Sequence, residues 1–128
     1  MHKLDSARNK TENIIKAFSA SFMNDSKWVK LLSMLSEING SIDAKVKLVW
    51  DTEKRDTWID DTIQYELDYY QNSMESMISG YPKGWYKYKE IEWIEFQSDI
   101  KVIENIINSI GKFELEEING NLRLYGYK

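Results

Sequence analysis

From Ser98 to Tyr127 the chain encodes a helix followed by a hairpin, and no other stretch restricts the fold as much. Ile100, Ile103, Ile107 and Ile110 recur at helical spacing, with Ser98-Asp99 suited to an N-cap and Gly111 to a C-terminal stop. Two strands over 113–118 and 122–127 then flank Asn119-Gly120-Asn121, a turn signature of an antiparallel pair. An apolar helix stripe beside such a hairpin calls for an α+β arrangement, with the sheet covering the stripe.

The upstream sequence extends this pattern. Thr11 can cap a helix with Ile14, Ile15, Phe18 and Phe22 on one face. Asn24-Asp25-Ser26 offers a second N-cap to Trp28, Leu31, Leu32, Leu35 and Ile38, with Asn39-Gly40 as the stop. Residues 45–50 alternate like a half-buried strand, placing Val46, Leu48 and Trp50 on one face. A long central helix is predicted from Asp60-Asp61, striped by Ile63, Leu67, Tyr70, Met74 and then Met77 or Ile78, and ended by turn residues 80–84. Residues 85–96 read as one or two strands, with Glu90, Glu92 and Glu95 at solvent-side positions. The expected result is one α+β domain over 1–128 with the order α-α-β-α-β-α-β-β. It has a mostly antiparallel sheet of about four strands packed with three to four helices, and residues 1–10 form a flexible tail.

Composition sets the outer limits. A chain of 128 residues with 42% hydrophobic residues, five Trp and eight Tyr can build a core. The absence of Cys excludes disulfides and thiolate chemistry and suits a reducing compartment. No apolar stretch near the N-terminus resembles a signal peptide, and none is long enough to span a bilayer, so a cytoplasmic location without membrane association is expected. A pI near 5.1 disfavours nucleic acid, whose affinity comes from Lys and Arg on phosphates.

Catalytic parts are scarce. The sole histidine, His2, lies at the extreme N-terminus, and without a second His or any Cys the usual zinc sets are missing. Gly80 and Gly84 match no phosphate loop or dinucleotide fingerprint. Asp56 with Asp60, or Asp61 with Gln64 and Asp68, can share a face and hold a hard cation, but acidic helix starts ordinarily serve the helix dipole. The expectation is a non-enzyme with no catalytic residues, no cofactor and no metal.

Charge gives the clearest functional pointer. Between Asp51 and Glu75 stand eight carboxylates and two bases, Lys54 and Arg55, interleaved with Trp58, Tyr65, Tyr69 and Tyr70. Of the chain's 21 acids and 17 bases, 13 and 15 remain elsewhere, so this segment carries net −6 and the rest +2. One reading is a docking face for a basic protein, with Asp56, Asp60, Asp61, Glu66 and Asp68 supplying charge and Tyr65 and Tyr69 contact area. The other is a solvated helix face with Trp58 and Tyr70 in the core. The Trp85-Tyr86-Lys87-Tyr88-Lys89 run resembles a stacking platform for single strands, but a strand with core aromatics and exposed lysines accounts for it better.

Lys27-Trp28 with Leu31 and Leu32, Val49-Trp50-Asp51, the run from Tyr88 through Ile91, Trp93 and Ile94 to Glu95, and Gly126-Tyr127 together resemble a family of small bacterial α+β proteins. That family is similar in scale and character to immunity proteins of contact-dependent growth inhibition systems. The likeness extends from Asn24 to Tyr127 and brings no functional residue with it. It implies a cytoplasmic protein, monomer or weak dimer, that binds and neutralises a cognate toxin domain, commonly a nuclease. A protein-interaction or small-ligand-binding module unconnected with any toxin is the alternative.

Overall fold

A computed structural model describes residues 3–38, 41–59, 73–74 and 86–128. Its elements are α1 (Lys3–Arg8), α2 (Thr11–Ala17), α3 (Asp25–Ser36), β1 (Ile42–Leu48), β2 (Lys54–Ile59), β3 (Ser73–Met74), β4 (Tyr86–Lys87), a 3-10 turn (Tyr88–Glu90), β5 (Ile91–Phe96), α4 (Ile100–Ile110), β6 (Leu115–Ile118) and β7 (Asn121–Tyr125). The α+β expectation holds. The main sheet has five strands in the order β2-β1-β5-β7-β6, with every neighbouring pair antiparallel, and β3 pairs with β4 separately.

One face of the sheet carries the core. Cross-strand partners lie on the same face, so Ile42, Ala44, Val46 and Leu48 of β1 align with Ile59 of β2 and with Ile94 and Phe96 of β5. Leu122 and Leu124 of β7 continue that layer. The stripes of α3 (Trp28, Leu31, Leu32, Leu35) and α4 (Ile103, Ile107) close over it as one buried cluster. Asn24 caps α3 as expected, its Oδ1 accepting from the Lys27 amide at 2.8 Å. The hairpin turn is a two-residue Asn119-Gly120 loop with φ of 53° and 83°, the positive values that a type I′ turn requires.

Several expectations need correcting. β2 is a fifth strand that the sequence pattern does not announce, because its inward positions, Arg55 and Thr57 before Ile59, are polar and give no apolar alternation. Ser73 and Met74 fall within the predicted central helix yet pair with Lys87 and Tyr86, so sheet pairing overrides the local helical period there; the remainder of 60–78 lies outside the described residues. In place of a tail, Lys3–Arg8 is helical and Ala7 packs against the core. The helix begun at Thr11 ends at Ala17 rather than including Phe22, because residues 20–22 pair with the C-terminus. Ala20 N and Lys128 N each donate to the other's carbonyl, Phe22 N donates to Gly126 O, and the Phe18 ring stacks on Tyr127 with centroids 5.3 Å apart. Thr11 does not cap; its hydroxyl donates to Arg8 O at 2.6 Å. Asp99 occupies the N-cap position of α4 in the left-handed region and forms no side-chain cap.

Candidate functional site

The chain has three arginines, Arg8, Arg55 and Arg123. Each holds a buried carboxylate and lies over an aromatic ring. Arg55 Nε donates to Asp51 Oδ2 at 2.6 Å, and its guanidinium lies 5.1 Å from the Trp50 ring centre. Arg8 forks onto Glu90, Nε to Oε1 at 2.6 Å and Nη2 to Oε2 at 3.0 Å, and lies 4.8 Å over Tyr86. Arg123 grips Glu95 Oε2 with Nε and Nη2 at 3.0 and 2.8 Å and covers Trp93 at 3.9 Å. A planar guanidinium suits this combination of a forked carboxylate contact and stacking on an aromatic face.

The solvent-side expectation for Glu90 and Glu95 is therefore wrong; they are 3% and 2% exposed. Glu90 is a hub, its Oε1 also accepting from Trp50 Nε1 at 3.0 Å and its Oε2 from the Lys87 amide at 2.7 Å. Tyr86 joins the same cluster, accepting from Arg55 Nη1 at 3.0 Å, and burial pushes its hydroxyl pKa up against the pull of Arg55 and Arg8. The sequence did offer a clue in the scarcity of arginine among 17 bases, each beside aromatic residues in the fold.

The sheet face opposite the helices carries a charge ladder. Register aligns Asp56 of β2, Lys45 of β1, Glu95 of β5, Arg123 of β7 and Glu116 of β6 in one row with alternating sign across all five strands. Lys45 forms an ion pair with Asp56, and Tyr125 donates to Glu116 at 2.6 Å. Such cross-strand pairs favour this register over its slipped alternatives.

Of the predicted interface, Asp60, Asp61, Tyr65, Glu66, Asp68 and Tyr69 lie outside the described residues. Asp56 is described, with 70% of its side chain exposed beside Lys45. Trp58, two residues on and on the same face, is 37% exposed, so it does not join the core. Asp51 belongs to the acidic count but not to the surface, because Arg55 and the amides of Thr52 and Glu53 occupy its oxygens. Among the described residues no three His, Cys, Asp or Glu side chains are grouped to hold a metal ion, and no helix is long and apolar enough to cross a membrane.

A cavity of about 440 Å³ opens beside the Glu90 hub, lined by side chains that include Arg8, Thr11, Glu12, Lys87, Lys89 and Glu90. Lys89 forms an ion pair with Glu12 within this lining. Comparison of the chain with family models, with curated proteins and with solved structures gives no match.

Proposed function

We propose that this chain is a stoichiometric inhibitor of a basic protein, an immunity protein that covers the active site of a bacterial toxin domain. The observation that carries this reading is the pairing of Asp56 and Trp58 on the outward face of β2, an edge strand running directly into Asp60-Asp61. A half-exposed indole beside a carboxylate supplies both an anchor of the kind that dominates interface energies and a charge that steers a cationic partner. The Asp56–Lys45 pair is exposed and so contributes little, which lets Asp56 exchange Lys45 for a partner's base at small cost. The segment that follows continues the same chemistry in sequence, with carboxylates interleaved with tyrosines.

The test is growth rescue. The C-terminal domain encoded by the adjacent upstream reading frame is expressed alone, and this chain is supplied in trans. Toxicity relieved by the wild-type chain and restored by the double substitution Asp56→Lys, Trp58→Ala supports the proposal, provided the double variant melts with the wild type. Rescue undiminished by that variant removes β2 from the interface, and toxicity without rescue removes the immunity reading.

A further inference from the structure

The cavity beside Glu90 has the electrostatics of an occupied anion site. Its lining places three cations, Arg8, Lys87 and Lys89, against two carboxylates, Glu12 and Glu90. The two acids differ sharply in standing. Glu90 is committed, its oxygens accepting from Arg8, Trp50 and the Lys87 amide, and it cannot leave without orphaning buried donors. Glu12 is 63% exposed at the side chain, and its carboxylate pairs with Lys89. Its carboxyl is held below the ordinary value first by its bond to Lys89 and by that charge, then by Lys16 and Lys87. One displaceable carboxylate thus sits in the combined field of several lysines.

We infer that this cavity binds a small phosphate-bearing anion, with Lys89 and Lys87 on its charge and Glu12 as the internal carboxylate that it displaces. A single carboxylate already satisfies Lys89, so a monocarboxylate ligand would gain nothing by replacing Glu12. A ligand with two or more charges engages Lys87 as well, and lysines, as separate point charges, can meet different oxygens of a tetrahedral group. The volume of about 440 Å³ accommodates a small organic phosphate. The site is built from α1, α2 and the 87–90 segment and involves neither Asp56 nor Trp58, so it stands or falls independently of the proposed interface.

The test uses inorganic pyrophosphate and, as a phosphate-free polyanion, citrate, each titrated into the full chain while amide NMR shifts are followed. Pyrophosphate should produce saturable shifts at Lys87 and Lys89, with citrate at least about tenfold weaker. Lys89→Ala should weaken pyrophosphate binding at least about tenfold, the value of a charge-assisted hydrogen bond. Glu12→Gln should tighten it about two- to fivefold, because an exposed competing ion pair is removed. Both residues are exposed, so neither variant threatens the fold. A linear, unsaturated response to about 10 mM pyrophosphate overturns the inference. So does equal binding of citrate, or a Glu12→Gln variant that binds more weakly.

Discussion

Removing the Glu90 carboxylate should destabilise the domain more than any exposed charge does, and the size of the loss follows from its four hydrogen bonds. In Glu90→Ala the Trp50 Nε1–H and the Lys87 amide lose their acceptor in a buried setting, at roughly 1–3 kcal/mol each. Arg8 is less costly to abandon. With 28% of its side chain exposed it can turn to water, so its fork onto Glu90 contributes about 1 kcal/mol or less after solvent screening. The sum is about 2–7 kcal/mol for Glu90→Ala. Arg8→Ala leaves the carboxylate with its two remaining donors and should cost about 1–3 kcal/mol, mainly from a buried charge left short of its counterion. Glu90→Gln preserves shape but turns an amide N–H toward one of three donor groups, so it should fall between wild type and Glu90→Ala.

Urea unfolding followed by tryptophan fluorescence measures all three variants, and an unchanged slope against denaturant licenses the comparison. The Arg8→Ala, Glu90→Ala double variant closes the cycle. Because both residues share one network, the double loss should be less than the sum of the single losses by more than about 0.5 kcal/mol. A Glu90→Ala loss below about 1 kcal/mol, or additivity within about 0.5 kcal/mol, would refute the hub as the organising contact of this end of the sheet.

Gly126→Ala should cost about 1–3 kcal/mol, read as a fall in melting temperature, because the new Cβ would stand 2.5 Å from the Ile91 carbonyl and 3.5 Å from the Trp28 ring. Alkaline pH should weaken the fold: burial raises the Tyr86, Tyr88 and Tyr127 hydroxyls above their ordinary 10.0, so the folded chain keeps protons that the unfolded chain releases. Their contribution is complete below that value and is lost as pH rises through the folded values, so the urea midpoint should fall from about pH 9 to about pH 11. Tyr88→Phe should flatten that fall without destabilising the neutral protein, since the Tyr88 hydroxyl is buried and finds no hydrogen-bond partner among the described residues.

The legible parts of this fold are those in which apolar side chains set the period. The α3 and α4 stripes, the alternation of β1 and the Asn119-Gly120 turn all follow from local pattern and turn chemistry. β5 is legible as a strand from its run of apolar and aromatic residues, but nothing local marks Glu95 as one of its buried positions. The illegible parts are those in which a polar residue takes an inward position because a distant partner neutralises it. Arg55 of β2 points inward to meet Asp51, and Glu90 does so to meet Arg8 from 82 positions away. Such a pair obeys no period, since each member looks like a surface residue until the other is placed beside it. For the same reason α1 passes for a tail, because its anchoring arginine answers to a carboxylate far along the chain.

These internal pairings change what the net charge of the acidic segment signifies. Asp51 and Arg55 cancel within the protein, and neither is presented to a partner. The 51–75 count therefore falls from eight carboxylates against two bases to seven against one, which leaves the net at −6 while moving the charge toward the C-terminal side of β2. A similar cancellation runs through the Asp56–Lys45–Glu95–Arg123–Glu116 row, whose buried centre is the Glu95–Arg123 pair. Asp56 is the end of that row at the β2 edge, exposed enough to change partners and next to Trp58. The row ends in a carboxylate at both edges, and only at the β2 end does that carboxylate stand beside a half-exposed indole, so under the proposed function steering charge and anchor would coincide there. That coincidence ranks Asp56→Lys, Trp58→Ala ahead of any charge reversal elsewhere on the described surface.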